Sequence, residues 1–192
     1  MANGFFALLS RMRNIARWSL MRNTFTDNVQ EHSHMVAVLA HGLALIRRDI
    51  LGLPAEPDKA AAAALYHDAP EILTGDMPTP VKYFDDELRD AYKRVERVSA
   101  EKLISMLPPQ LRKSYREAFL PDDKETLETV KAADKLAAYI KCLEELRAGN
   151  EEFRQAALST KAILDKNSRP EVRYFMENFL PAFNTTLDEI SL

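Results

Sequence analysis

Five consecutive alanines, Ala60–Ala64, constrain the fold of this chain more than any other stretch, because they favour a helix thin enough for neighbouring helices to pack closely against it. We expect that helix to span residues 57–75 and to carry the polar residues that follow the alanines. His67 and Glu71 are spaced to share one helix face, and so are Asp68 and Glu71. The stretch therefore predicts one imidazole and two carboxylates grouped together.

A divalent cation is the usual partner of carboxylates that are buried together, because burial without partners is costly. Leu65, Tyr66 and Ile72 surround the group with apolar side chains, which favours burial. A solvated helix face that carries an ordinary histidine and two acids explains the same residues. This stretch alone leaves both interpretations open.

Apolar residues recur at helical spacing along nearly the whole chain, whereas no segment alternates apolar and polar residues as a strand does. Asn28 and Glu31 have the spacing of a capping box, which marks the start of a helix. No linker, repeat or low-complexity segment divides the 192 residues. The sequence therefore predicts an all-α protein with a single domain over residues 1–192.

The composition excludes several classes of function. The 26 basic and 29 acidic residues are nearly balanced, which argues against a nucleic-acid polymer as the partner. No apolar run approaches the ~20 residues that cross a bilayer, so we expect no membrane association. Cys142 is the only cysteine, which excludes an internal disulfide and favours a reducing, cytoplasmic location. The five glycines form no phosphate-binding glycine motif.

The N-terminal region contains arginines but no acidic residue before Asp27, as mitochondrial transit peptides do. Its apolar residues come first, however, in Phe5–Leu9. A docked helix followed by a basic loop with Trp18 explains the same residues, and we favour this second interpretation.

Two further polar residues stand where helices normally place apolar ones. His32 lies near the start of an amphipathic helix, three and four residues before the apolar residues Met35 and Val36. Asp134 lies in an alanine-rich helical stripe, where a carboxylate needs a cation or hydrogen-bond donors. For Asp134 taken alone, a salt bridge to Lys131 or Lys135 is the simpler explanation.

In chain order these positions read His32, His67–Asp68 and Asp134, a pattern that resembles the HD-domain superfamily of metal-dependent phosphohydrolases. That superfamily is all-α, so the resemblance implies a single HD-domain helical bundle. The likeness extends nearly end to end to the 5′-deoxynucleotidase family typified by bacterial YfbR. The segments that carry it include Arg17–Trp18, residues 66–83, Tyr139–Leu146 and residues 187–191.

The resemblance implies a metal-dependent phosphomonoesterase that hydrolyses deoxyribonucleoside 5′-monophosphates to deoxynucleosides and phosphate. One divalent ion, which would be cobalt, manganese or a similar metal, is expected on His32, His67, Asp68 and Asp134. Glu71 would act as the base or positioner of the attacking water, by the same resemblance.

The resemblance also implies the substrate contacts and the assembly. Arg17 would neutralise the charge of the phosphate with its planar guanidinium. The residues expected to contact the rest of the nucleotide are Trp18, Asp76, Met77, Pro78 and Thr79. Members of the family form dimers, so we expect a homodimer.

Other functions are open as alternatives. Within the superfamily the substrate could be a deoxynucleoside triphosphate, a cyclic nucleotide or ppGpp, although the chain is short and has no second histidine cluster. A non-catalytic helical scaffold with a structural metal is an alternative of another class. Structural metal sites usually rely on cysteine and histidine, whereas this set is rich in carboxylates and has Glu71 beside it.

Overall fold

The computed structural model describes residues 2–82 and 84–190, apart from the side chain of Thr79. Within these residues the prediction of an all-α protein is confirmed, since they form helices and no β-strand. None of the described helices is long and apolar enough to cross a membrane. The α-helices are α1 Phe5–Leu9, α2 Val29–Leu45, α3 Pro57–Tyr66, α4 Glu71–Thr74, α5 Thr79–Lys82, α6 Asp86–Ser105, α7 Pro109–Phe119, α8 Lys124–Arg147, α9 Arg154–Asp165 and α10 Pro170–Asn178.

The described chain divides into two compact units. The first contains the described residues up to Met35 together with those of Ala62–Asp123. The second contains Val36–Ala61 and the described residues from Lys124 onward. The boundaries fall inside α2 and α3, so each of these helices contributes residues to both units. The single domain expected from the sequence stays a prediction.

The first unit has an aromatic and aliphatic core that includes the N-terminal helix. Phe5 on α1 is completely buried, and its ring centroid lies 5.1 Å from that of Tyr115 on α7. Tyr66, at the end of α3, stacks on Phe119 with 4.8 Å between the ring centroids. The apolar start of the chain is therefore a docked helix, as we expected, and its burial stabilises the unit.

The alanine-rich helix is shorter than the sequence suggested. We expected one helix over residues 57–75, but α3 ends at Tyr66 and α4 begins at Glu71. Pro70 explains the break, because its ring carries no N–H donor and would collide with the carbonyl of Tyr66 in a continuous helix. Residues 67–70 form a turn instead, in which the N–H of Ala69 donates to Tyr66 O at 3.1 Å. The prediction that His67 and Asp68 share a helix with Glu71 is therefore wrong.

The second unit contains a buried network of charged side chains in addition to the packed pair α8 and α9. Glu171, at the start of α10, is fully buried, and its carboxylate lies 3.2 Å from Arg47 Nη1 and 2.6 Å from Arg169 Nη2. Glu125 on α8 pairs with the same two arginines. The network therefore connects the helical turn that follows α2 with the first turns of α8 and α10.

Candidate metal centre

Three side chains of the first unit bring possible metal-ligating atoms together. His32 lies near the start of α2, and His67 and Asp68 lie in the turn between α3 and α4. Asp68 Oδ2 is 3.2 Å from His67 Nε2 and 3.6 Å from His32 Nε2. One ligand atom from each residue lies within 4.8 Å of the other two. Two imidazoles and a carboxylate at this spacing could hold a divalent ion.

The orientation of His67 fits a metal ligand. Its Nδ1 lies 2.7 Å from the carbonyl oxygen of Ala64, and because a carbonyl only accepts, Nδ1 carries the proton. In the neutral ring, Nε2 then presents a lone pair on the side of Asp68. A backbone carbonyl that fixes the tautomer in this way is a common second partner of metal-ligating histidines.

The position of His32 depends on how α2 begins. Asn28 Oδ1 accepts hydrogen bonds from the backbone N–H groups of Gln30 at 3.1 Å and Glu31 at 3.0 Å, so Asn28 caps the helix as the sequence predicts. His32 is buried, and its ring centroid lies 5.4 Å from that of His67. The cap thus sets the helical register that brings His32 beside His67.

The polar groups beside Asp68 favour the ionised form of its carboxylate. Burial of Asp68 raises the pKa of its carboxyl, but the interactions with His67, His32 and Arg17 are larger in sum. They hold the pKa of Asp68 well below its usual range. Arg17 Nη1 donates to Asp68 Oδ2 at 3.1 Å. Asp68 is therefore ionised at neutral pH, as a metal-ligating carboxylate must be.

Arg17 is also held by an acid that the sequence did not single out. Its Nε lies 3.5 Å from Asp27 Oδ2, and its backbone N–H donates to Asp27 O at 2.9 Å. The N–H of Val29 donates to Ile15 O at 3.0 Å, so the two ends of this loop run antiparallel. Arg17 and Asp27 pair across a loop and not within one helix, so their spacing follows no periodic pattern and the sequence does not predict the contact.

Glu71, the first residue of α4, is buried in the same unit. Burial raises the pKa of its carboxyl to about 9, and the negative charges of Asp68 and Asp76 add to the effect. Among the described residues, Glu71 Oε2 has no hydrogen-bond partner. A buried and unsatisfied carboxyl is costly, and groups of this kind are concentrated at functional sites.

The turn predicted to contact the nucleotide follows α4 directly. Gly75 ends α4 with φ +74° and ψ 164°, a conformation that essentially only glycine adopts. Asp76, Met77 and Pro78 come next, and all three are half-buried. Burial raises the pKa of Asp76, although Arg17 opposes the shift. The backbone of Thr79 begins α5, and its side chain lies outside the described part of the chain.

Trp18 has a strained backbone next to Arg17. Its φ is +55°, a value that is rare for residues other than glycine. Its carbonyl accepts hydrogen bonds from the N–H of Met21 at 2.9 Å and from Asn23 Nδ2 at 3.3 Å, which close a tight turn. The indole is half-buried. Strain of this kind clusters at functional sites.

Asp134, the fourth predicted ligand, lies on α8 in the second unit. Its Oδ2 accepts a hydrogen bond from Lys135 Nζ at 3.1 Å, so the salt bridge expected as the simpler explanation is present. The role of Asp134 as a metal ligand stays a prediction.

Comparison with known proteins relates nearly the whole chain to one group of enzymes. A family model described as 5′-deoxynucleotidase YfbR-like matches residues 4–183. A 5′-deoxynucleotidase of Shewanella oneidensis is 47% identical over 188 residues, which cover 97% of this chain and 96% of that protein. The 5′-deoxynucleotidase YfbR of Escherichia coli is 48% identical over 191 residues, which cover 97% of this chain and 95% of that protein.

Two of the solved structures with a similar fold are described as HD-domain phosphohydrolases. An HD-domain phosphohydrolase of Listeria innocua has a TM-score of 0.81 and 26% identity, with 93% of this chain and 87% of that chain covered. A cyanophage S-2L HD phosphohydrolase has a TM-score of 0.65 and 23% identity, with 94% of this chain and 96% of that chain covered. These similarities agree with the all-α fold described above.

Proposed function

This chain belongs to the YfbR-like 5′-deoxynucleotidase family, and we propose that His32, His67 and Asp68 hold the divalent ion with which it works. As an HD-type phosphohydrolase, it removes phosphate from deoxyribonucleoside 5′-monophosphates and leaves the deoxynucleoside. The observation that carries the metal assignment is the orientation of His67, whose Nδ1 is engaged by Ala64 while Nε2 lies 3.2 Å from Asp68. Asp134 is proposed as the fourth ligand on the family resemblance alone.

The ion is proposed to be cobalt, manganese or a similar metal such as zinc, because imidazole and carboxylate ligands suit all of them. The cyanophage phosphohydrolase is described as bound to dA and one catalytic Zn²⁺ ion. When bound, a divalent ion polarises a phosphate oxygen and lowers the pKa of a ligated water.

Arg17 is proposed to bind the phosphate group of the substrate. Its planar guanidinium can contact two phosphate oxygens at once, which a lysine ammonium cannot do with the same geometry. Asp27 and Asp68 hold the guanidinium at 3.5 Å and 3.1 Å. Because its orientation is fixed before the substrate arrives, less freedom is lost on binding.

Glu71 is proposed to orient the attacking water and to accept its proton. The carboxyl must be ionised for this role, yet burial raises its pKa to about 9. That value already includes the opposing charges of Arg17 and Lys82, and a cation held by the adjacent ligands would lower the pKa further towards neutrality. Glu71 is therefore suited to take up a proton near neutral pH.

Trp18 and the turn Asp76–Thr79 are proposed to contact the deoxynucleoside. Trp18 immediately follows Arg17, so its indole can reach the sugar of a nucleotide whose phosphate is bound by Arg17. A bulky ring in that position leaves no room for a 2′-hydroxyl. It would select deoxynucleotides through an unfavourable contact with ribonucleotides.

We also propose that the enzyme is a cytoplasmic homodimer. The dimer is supported by the family resemblance, and the location by the single, buried cysteine Cys142. Light scattering at micromolar concentration should give twice the mass of one chain. The mass of a single chain would contradict the dimer.

Phosphate release from a panel of nucleotides tests the proposed function. Deoxyribonucleoside 5′-monophosphates should release phosphate when cobalt or manganese is present, and release should stop when a chelator is added. Ribonucleoside 5′-monophosphates, deoxynucleoside triphosphates, cyclic nucleotides and ppGpp are the competing substrates. Release from none of these nucleotides with any metal would contradict the function, and preference for another nucleotide would contradict the substrate class.

A further inference from the structure

The turn proposed to contact the nucleoside lies between two very short helices. α4 spans Glu71–Thr74 and α5 spans Thr79–Lys82, so neither helix is long enough to be stable without tertiary packing. Both helices contact α6. The position of the turn therefore depends on the side chains that α6 supplies.

Tyr92 on α6 contacts the beginning of this segment. Only 5% of its surface is exposed, and its hydroxyl donates to the carbonyl oxygen of Gly75 at 3.3 Å. The hydroxyl also lies 3.4 Å from Thr74 Oγ1, which donates to the same carbonyl at 3.0 Å. These bonds hold the backbone at the point where α4 ends and the turn begins.

The ring of the same tyrosine contacts the end of the segment. Lys82 Nζ lies 4.8 Å from the centroid of the Tyr92 ring and 2.9 Å from Glu96 Oε1. Glu96 is one helical turn beyond Tyr92, so both partners of Lys82 lie on one face of α6. A cation–π contact and an ion pair thus fix the last residue of α5.

We propose that Tyr92 is a positioning residue, which holds both ends of the Gly75–Lys82 segment and thereby sets the turn Asp76–Thr79 against the nucleoside. The inference rests on the proposed function of that turn. A phenylalanine would fill the same buried space and keep the ring beneath Lys82. The hydroxyl is therefore explained by its bonds to Thr74 and Gly75 and not by packing.

Tyr92→Phe removes the hydroxyl alone. Inhibition by the two products separates the two halves of the site, because the deoxynucleoside binds at the turn and inorganic phosphate binds at Arg17. We expect KM for a deoxyribonucleoside 5′-monophosphate and Ki for the deoxynucleoside to rise together by about 3- to 10-fold, as the loss of a weak hydrogen bond predicts. The values of kcat and of Ki for phosphate should change by less than about twofold, since uniform binding is all that is lost.

Two substitutions of Lys82 test the second contact. Lys82→Arg keeps a cation over the ring of Tyr92 and opposite Glu96, so it should keep Ki for the deoxynucleoside near the wild-type value. Lys82→Met keeps a linear apolar stem without the charge, so it should raise that Ki. Equal values of Ki for the two variants would contradict a role for the cation in holding α5.

Tyr139→Phe is the matched control, because Tyr139 is also buried, with 7% exposed, but lies on α8 in the second unit. It should leave KM and both inhibition constants unchanged. The inference is overturned if Tyr92→Phe leaves Ki for the deoxynucleoside unchanged, or if it raises both constants equally while Tm falls. Wild-type protein that hydrolyses no deoxyribonucleoside 5′-monophosphate would instead overturn the proposed function, and this inference with it.

Discussion

Glu71 combines properties that an ordinary structural carboxylate does not have. It is buried, its pKa is raised to about 9, and its Oε2 has no hydrogen-bond partner in the part of the chain that the structure describes. The fold keeps this side chain near Asp68 and Asp76 although their negative charges oppose its ionisation. A buried acid with such neighbours is the kind of group that enzymes use to move protons.

Glu71→Gln keeps the size and polarity of the side chain and removes its charge. Because Glu71 is not among the proposed ligands, we expect bound metal, measured by elemental analysis, to stay at the wild-type level. Turnover should fall by ~10²–10⁴-fold, the usual loss when an acid–base group is removed. Glu117→Gln, an exposed position on α7, is the control and should change neither quantity. Loss of metal in step with activity would show that Glu71 is a ligand.

Trp18→Ala should raise activity on ribonucleoside 5′-monophosphates relative to the deoxy forms, because it opens the space proposed to be closed to a 2′-hydroxyl. An apolar pocket alone rejects an added hydroxyl by only about 10²-fold, so a larger preference requires tight packing. The measurement is the ratio of kcat/KM for matched ribo- and deoxynucleotides. If activity on both substrates falls equally and Tm falls with it, Trp18 only anchors the N-terminal region.

The helices could be predicted from the sequence wherever a local signal marks their ends. Asn28 caps α2, which begins at Val29, as the capping pattern indicates. The alanine-rich run predicts too long a helix, because its high helix propensity does not include the steric effect of Pro70. The contacts of Asp27 and Tyr92 could not be predicted, since they join residues with no fixed spacing along the chain.

Gly75→Ala tests whether the backbone at the end of α4 is required. A Cβ at Gly75 would meet no atom within 4 Å, so the cost is one of conformation, about 1–3 kcal/mol. We expect Tm to fall and KM for deoxyribonucleoside 5′-monophosphates to rise, because the turn Asp76–Thr79 would shift. Gly42→Ala is the matched control, because Gly42 is helical and also has open space around its Cβ. It should raise stability by about 0.5–1 kcal/mol. Equal behaviour of the two variants would contradict a special role for Gly75.

Glu171→Ala tests the buried charge network of the second unit. The substitution removes the buried carboxylate that pairs with Arg47 and Arg169 and leaves their charges less compensated. The free energy of unfolding should therefore fall by about 3–5 kcal/mol. Urea unfolding measures the change. Glu128→Ala, which removes a surface pair with Lys131, should cost less than about 1 kcal/mol. A small effect of Glu171→Ala would mean that the network contributes little net stability.

The candidate metal site could be predicted from the sequence only in part. His32 and the pair His67–Asp68 lie far apart in the chain, and each on its own has an ordinary structural explanation. Only their order, read together with Asp134, resembles a metal-dependent phosphohydrolase, and the first unit does bring the first three together. The acid that holds Arg17 and the tyrosine that holds the turn depend on tertiary packing, which a one-dimensional pattern does not contain.

The number of metal ions that each chain needs for turnover shows whether the enzyme works with one ion at His32, His67 and Asp68. Protein freed of metal by a chelator would be titrated with cobalt or manganese while phosphate release from a deoxyribonucleoside 5′-monophosphate is followed. Activity should start near zero, rise in proportion to the added metal and reach its maximum at about one ion per chain. His67→Ala, shown by circular dichroism to be folded, should give no such rise. Full activity without metal, or a maximum only at about two ions per chain, would contradict a single-metal phosphohydrolase site at His32, His67 and Asp68.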